Sequence, residues 1–449
     1  MIVIDQNIVN VALPIVQKSL EFSESNLVWV VNAYVIPFGG LLLLAGRMGD
    51  MVGRRTVFIT GIALFSLASL LCGFATTDGM LIGFRFMQGI GGTVASACLL
   101  AIIVTTFTEP RQRTQAIGAF SFASAGGGAL GPLLGGILTG FVSWNWVFFI
   151  NAPIGLLVVI LALRLVPKDV GHGTLRRVDY LGAVLVTGAL MLGVYTIVNG
   201  ETAGWTSTQT VIQAVVSMLL LAAFFVREAA AEAPLLPLTM FRSRTLTMAN
   251  VVQFLLIAGM FGLLYFGTLY LQNVLGYSSV QAGLGFVPIA VVIAAISLAL
   301  SARIIGRLGE RTVLLFGLAL VALALMVLSF ARVDGTYAVD FLPASLVMGI
   351  GFGLVAPAAM GLGMAAVQPE QSGIASGLFN TTQQIGGAVG LAVLSAIASA
   401  RNDILIGQGV TERAALNGAY HATFIAAAGF ILGAFLVTAV FLRKPQSHR

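Results

Sequence analysis

Long apolar runs, each about the length that crosses a bilayer, alternate along this chain with short stretches that hold most of its charge. Fourteen such runs are expected, over residues 1–20, 26–45, 56–76, 79–107, 114–141, 146–166, 180–199, 209–227, 247–272, 279–302, 312–331, 338–366, 373–399 and 419–442. At roughly 20 residues each they use about 280 residues, leaving short loops and no room for a soluble domain. The pattern predicts an all-α integral membrane protein with 14 spans.

Composition agrees: 58% of the 449 residues are hydrophobic and 9% are charged, whereas charged residues make up about a quarter of a soluble domain. The net charge of +6 does not point to nucleic acid, because the basic residues sit in short loops and form no continuous stripe. Cys72 and Cys98 fall inside apolar runs and His172, His421 and His448 are scattered, so no disulfide framework, metal site or cofactor is expected. Nothing resembles a catalytic constellation, and no cleavable signal peptide is expected, since the first run lacks a basic start and a small-residue cleavage site.

Orientation follows from lysine and arginine. With both termini cytoplasmic, the inner loops and tail hold Arg47, Arg54, Arg55, Arg111, Arg113, Arg164, Lys168, Arg176, Arg177, Arg227, Arg242, Arg244, Arg303, Arg307, Arg311, Arg443, Lys444 and Arg449. The outer loops hold Lys18, Arg332, Arg401 and Arg413. That imbalance predicts a multi-pass protein of the cytoplasmic membrane with both ends inside, and it requires an even number of spans.

The chain also repeats itself. A shift of 256 residues lays Ser301–Leu314 on the stretch that begins at Gly46, matching Arg47 with Arg303, Gly53 with Gly309 and Arg55 with Arg311, while Asp50 falls on Gly306. A shift of 255 places Gly131 and Gly135 on Gly386 and Gly390. Two places that agree at nearly one offset predict two six-helix bundles, 1–166 and 247–449. The segment 167–246 then carries two inserted spans.

Four stretches carry candidate chemistry. The first, GRMGDMVGRRTVF from Gly46 to Phe58, crowds glycine and charge between two spans. Its arginines have a bland explanation in membrane topology, but Gly46, Met48, Gly49, Asp50, Gly53, Arg54 and Arg55 together resemble the signature loop of the major facilitator superfamily of transporters, with Met51 in place of the family's first basic residue. The second, DQNIVNVALP from Asp5 to Pro14, puts an acid, Asn7 and Asn10 into the first span. It resembles the first-span signature of the fourteen-span drug:proton antiporters, with Asn7 at the threonine position; the competing reading is a solvated end charge. The third, LIGFRFMQGIGG, places Arg85 and Gln88 inside span 4, where a charge costs roughly 2.5–3.5 kcal/mol unless it faces protein or water. It resembles the family's motif of Arg, two residues, Gln, Gly, any, Gly. A fixed positive charge lowers the pKa of a neighbouring carboxylate, so the resemblance implies proton coupling; the alternative is snorkelling of Arg85 to the outer interface. The fourth, GGGALGPLLGGIL in span 5, spaces Gly127, Gly131 and Gly135 on one helix face for close packing and, with Pro132 and Gly136, resembles the family's antiporter motif. The aromatics of WNWVFFINAPIG, Trp144 to Gly155, are expected at the outer interface.

In the second half the intramembrane polar groups are read as neutral. Gln253, Phe261, Tyr265, Asn380 and Gln384, with Asn7, Asn10 and Gln88 from the first half, are candidates to line a mostly apolar substrate cavity. The resemblance covers essentially the whole chain. It implies the major facilitator fold and a proton-coupled multidrug efflux antiporter, monomeric in the lipid bilayer, that exchanges protons for lipophilic or cationic drug-like substrates. The alternatives are a transporter for one metabolite or self-made antibiotic and a transport-inactive sensor. A channel is disfavoured because no ring of charges or filter repeat is visible.

Overall fold

The computed structural model describes residues 1–442 except 23–26, 28, 170–178, 205–206, 232–233, 366 and 369–370. Among the described residues there are helices and turns and no β-strand. In chain order the helices are α1 (Ile2–Ser19), α2 (Trp29–Gly40), α3 (Leu42–Val52), α4 (Arg54–Gly73), α5 (Asp78–Thr106), α6 (Pro110–Phe141), α7 (Trp146–Leu165), α8 (Tyr180–Ala203), α9 (Thr208–Ala230), α10 (Arg244–Val274), α11 (Gln281–Leu308), α12 (Glu310–Leu328), α13 (Tyr337–Ala365), α14 (Ser372–Gly407) and α15 (Glu412–Phe441). Each of the fourteen expected runs is helical. Eleven described helices are long and apolar enough to cross a membrane, and α2 with α3 makes a twelfth if that pair, bent by 50°, is one span. Helices α1 and α6, some of whose side chains lie outside the described residues, are not counted among them.

Local signals explain the helix ends. The side chains of Thr77, Ser207, Ser243 and Ser278 each accept an N–H from the first turn of α5, α9, α10 and α11, and Gln281 completes a capping box with Ser278. Gly53 at φ 110° and Gly309 at φ 79° break the chain between α3 and α4 and between α11 and α12, a backbone region that disfavours side chains. These two glycines are partners in the 256-residue repeat.

The chain folds into two compact units. The first comprises Met1–Thr108, Leu130–Arg242 and Val367–Thr381, and the second Glu109–Ala129, Ser243–Ala366 and Thr382–Arg449. In the first unit α4 lies along α5 so closely that a Cβ on Gly91 would stand 2.8 Å from Phe65 Cα, and one on Gly61 2.9 Å from Ala95 Cα. In the second unit the same register recurs between α12 and α13, where a Cβ on Gly317 would stand 2.9 Å from the Gly351 carbonyl oxygen. Glycine at such crossings lets backbones approach where lipid supplies no hydrophobic drive for helix association. The repeat extends to the long helices. Gly131 of α6 packs on Asn7 and Ile8 of α1 within the first unit, and Gly386 and Gly390 of α14 pack on Phe254 and Ala258 of α10 within the second.

Helices α8 and α9 belong to the first unit. Gly39 and Gly40, just before the bend at Leu41, receive Val194 and Met191 of α8, and Trp29 stacks on Tyr195 at 5.7 Å. Helix α9 leaves Ile212, Met218, Leu219 and Val226 exposed, as suits a lipid-facing helix.

Candidate functional site

Asp5 stands one turn into α1, and Arg85 two turns into α5. The two side chains are 0% and 1% exposed and form an ion pair, Arg85 Nη1 donating to Asp5 Oδ2 at 2.7 Å. A buried charge must find charge and hydrogen bonds together, and this pair finds both. Arg85 also donates through Nε to the Val30 carbonyl at 3.0 Å and through Nη1 to Gln88 Oε1 at 2.7 Å, and its guanidinium lies 4.3 Å from the Tyr34 ring centre. Asp5 Oδ1 accepts from Gln88 Nε2 at 2.8 Å and from Asn151 Nδ2 at 2.7 Å. Asn151 in turn donates to Ser69 Oγ, whose hydroxyl donates to the Phe148 carbonyl. Helices α1, α2, α4, α5 and α7 are thus joined through one network around the ion pair. Asp5 is not a solvated end charge, and Arg85 does not snorkel outward.

Asn151 and Ser69 are absent from the sequence-derived candidates. Asn151 lies in the aromatic stretch assigned to the outer interface, where the structure divides the aromatics. Trp146 is exposed, but Trp144 is buried and donates to Ser19 Oγ, and Phe148 is buried with its ring 5.8 Å from the Arg85 guanidinium. An asparagine alone among apolar residues was the signal that could have found the site.

The glycine-rich stretch from Gly46 is helical as far as Val52. Gly46 and Gly49 lie in α3 and serve close approach: Gly46 faces the backbone of Gly373 and Gly377 in α14, and a Cβ on Gly49 would stand 2.6 Å from Cys98 Sγ. Only Gly53 turns the chain. Asp50, 4% exposed, accepts from Gly373 N at 2.8 Å, Ile374 N at 2.9 Å, and Arg54 Nε and Nη2 at 3.1 and 3.0 Å. A carboxylate from α3 therefore caps the first turn of α14, where free N–H groups and the helix dipole favour negative charge. Asp169 does the same for α4, accepting from Arg54 N at 2.6 Å and Arg55 N at 3.1 Å, while the Arg55 guanidinium donates to the Leu163 carbonyl. Carboxylates and helix N-termini alternate across the whole loop.

At the ends of α8 and α9 Asp179 caps α8 through Gly182 N and pairs with Arg227 of α9 at 2.9 Å, and Glu228 accepts from Leu235 N and Leu236 N. Burial of Asp179 favours its neutral form, but the Gly182 N–H and the Arg227 guanidinium outweigh it and hold the carboxyl below the usual aspartate range.

The remaining candidates scatter. Gly127, Gly131 and Gly135 are all buried, whereas a Cβ on Gly136 would meet nothing within 4 Å, so Gly136 is not part of the close contact. The side chains of Pro132 and Asn10 lie outside the described residues. Asn7 donates back to the Val3 carbonyl of its own helix and not to Asp5. Gln88 sits wholly within the ion-pair network. Asn380 donates to Ser96 and Ser376 carbonyls in the first unit. In the second unit Gln253 is buried with its Oε1 unbonded, Phe261 packs against Gly387, Tyr265 is half-exposed with its ring edge toward Phe266, and Gln384 is half-buried.

Three comparisons with known proteins agree. Residues 1–391 match the family model described as Major Facilitator Superfamily. The puromycin resistance protein pur8 of Streptomyces alboniger is 38% identical over 98% of this chain and 88% of its own length. The cephamycin export protein CmcT of Amycolatopsis lactamdurans is 36% identical over 98% of this chain and 90% of its own. The structure of the human organic anion transporter MFSD10 superposes with a TM-score of 0.66 at 18% identity, over 97% of this chain and 96% of that one, a likeness of fold.

Proposed function

The chain belongs to the major facilitator superfamily, and from that premise we propose that it is a proton-coupled multidrug efflux antiporter that exports lipophilic or cationic compounds across the cytoplasmic membrane by alternating access. The observation that carries the reading is the buried Asp5–Arg85 pair, which a structural role alone does not demand: replacing a buried ion pair by apolar residues is often neutral or stabilising. A proton arriving at Asp5 cancels its charge and frees Arg85, so the pair converts protonation into loss of a helix-to-helix bond. Asp50, bonded to the first turn of α14 and to Arg54, is assigned the role of a cytoplasmic latch that holds one state of the cycle.

The same reading takes 1–166 and 247–449 as the transporting bundles and 167–246 as an insertion with two spans. Counting α1 and α6 with the twelve other segments gives 14 spans, with both termini cytoplasmic and a monomer as the working unit. Efflux of an ethidium-like dye by everted vesicles tests it. The rate falls when the proton gradient is collapsed, and Asp5→Asn and Arg85→Ala fall to background at matched expression. Rates indifferent to the gradient sink the proposal.

A second reading is export of one antibiotic. It is supported by the names of the relatives, one a resistance protein for puromycin and one an exporter of cephamycin. A panel that returns a single saturable substrate favours it.

A further inference from the structure

The bonds around Asp5 carry information about its protonated state. Each side-chain partner of the carboxylate is a donor: Arg85 Nη1 on Oδ2, and Gln88 Nε2 and Asn151 Nδ2 on Oδ1. The cage is thus built for the anion, and a newly formed O–H has no acceptor among those partners. A buried hydroxyl without an acceptor is costly, so the cage must rearrange when the proton arrives.

Two amides border the carboxylate, and they are not equally free to turn. Gln88 is held on both sides: its Nε2 donates to Asp5 while its Oε1 accepts from Arg85 at 2.7 Å. Rotating it would aim an NH2 at a guanidinium that carries only donors. Rotating Asn151 breaks no bond to Arg85. Its Nδ2 stands between Asp5 Oδ1 at 2.7 Å and Ser69 Oγ at 3.1 Å. A half-turn of the amide puts Oδ1 in that position, where it accepts the Asp5 O–H. The Ser69 hydroxyl can then remain on the Phe148 carbonyl, where it donates at 2.9 Å, or turn to the same oxygen.

We propose that Asn151 is a positioning residue for proton coupling: its amide donates to the Asp5 carboxylate and, after a half-turn, accepts from the Asp5 acid, which makes the charged and neutral states both compatible with one buried site. The inference rests on the reading of Asp5 as the proton-exchanging group. In the step itself a proton from outside water bonds to Asp5 Oδ1. The ion pair with Arg85 loses its charge–charge attraction, and Arg85 keeps the Val30 carbonyl, Gln88 Oε1 and the Tyr34 face. The titratable groups that face Asp5 are Arg85 of α5, Tyr34 of α2, Cys72 of α4 and the Met1 amino group. Arg85 stays charged throughout.

The test is an infrared pH titration of the full chain in nanodiscs. The Asp5 carboxyl band is isolated as the difference between each protein and its Asp5→Asn counterpart, so it is read whether or not any substrate moves. Asn151→Leu keeps the branched shape and removes both polar atoms. The carboxylate then loses a charge-assisted bond and the acid a neutral one, and the former is worth about twice the latter. The expected result is a protonation midpoint about one pH unit higher, one unit corresponding to about 1.36 kcal/mol. The acid C=O band also moves to higher wavenumber because its O–H has lost an acceptor. Ser69→Ala, which unties Asn151 and removes the hydroxyl from the Phe148 carbonyl, moves the midpoint the same way by less. An unmoved midpoint or an unmoved acid band in both variants overturns the role of Asn151. Loss of gradient-dependent dye efflux in the wild type alone would instead overturn the antiport reading, and the titration separates the two.

Discussion

Replacing Asp50 by asparagine should loosen the first turn of α14 by a calculable amount. The carboxylate bonds two backbone N–H groups, Gly373 at 2.8 Å and Ile374 at 2.9 Å, from a site 4% exposed. Bonds to a charged acceptor are worth about 1.5–3 kcal/mol each. Asparagine keeps one acceptor oxygen and loses the charge, so roughly half of that total goes, about 1.5–3 kcal/mol. A tenfold change is about 1.4 kcal/mol, which sets the expected acceleration of amide exchange at about 10- to 150-fold in the peptide containing Gly373 and Ile374. Hydrogen exchange read by mass spectrometry on the protein in nanodiscs gives that number directly. Asp50→Ala should exceed it, because Arg54, 7% exposed, then loses the ion pair with Asp50 as well. The necessary control is Asp169→Asn, whose amides belong to α4. If exchange at Gly373 and Ile374 is unchanged in Asp50→Asn, the carboxylate does not hold α14 and the latch is wrong.

Other expectations follow from neighbouring contacts. Asp169→Asn should speed exchange at the Arg54 and Arg55 amides by about tenfold, the cost of a lost cap being about 1 kcal/mol or a little more, and leave α14 protected. Gly40→Val should lower thermal stability by about 1–3 kcal/mol, the usual cost of overpacking, because a Cβ there would stand 3.2 Å from Met191 N; an unchanged unfolding temperature contradicts the seating of α8 on α2. The Asp179 carboxyl lies below the usual aspartate range, so the link between α8 and α9 contributes above that range and is lost as pH falls through the folded value. Thermal stability should therefore drop on acidification more steeply in wild type than in Asp179→Asn, and parallel curves refute the assignment.

The helices were legible because membrane spans must bury their backbone bonds and expose apolar side chains, so length and hydropathy carry nearly the whole signal. Asp5 and Arg85 were legible for the converse reason, since a charge inside an apolar run stands out. What completes their site was not. Asn151 lies 146 residues from Asp5 in sequence, and a neutral amide raises no alarm in a run read for its tryptophans. Asp169 caps a helix that begins 115 residues earlier, a pairing no local pattern encodes. The run at 26–45 hid a different feature. Helix continues to Val52, with a bend at Leu41 that the neighbouring Gly39 and Gly40 permit and that α8 packs against.

The two repeats separate what the fold requires from what was added to it. Backbone demands recur: Gly53 and Gly309 both have positive φ, and Gly61 and Gly317 both sit at a helix crossing. Gly118 of α6 abuts the Ser297 carbonyl within the second unit as Gly373 of α14 abuts the Gly46 carbonyl within the first. Arg47 and Arg55 recur as Arg303 and Arg311, but the buried ion pair does not. The position of Asp50 is Gly306 in the second repeat, and that of Arg54 is Glu310. The helix end that the acid closes is particular to the first unit: α14 begins at Ser372, whereas the aligned residue of α6 is Ile117, inside a helix that begins at Pro110. The Asp50 contact thus belongs to one repeat only, and the switching role proposed for it rests on the bonds it makes from α3 to the first turn of α14. The exchange experiment on α14 addresses that role: a latch should lose amide protection locally while the rest of the first unit, held by its glycine crossings, keeps its own.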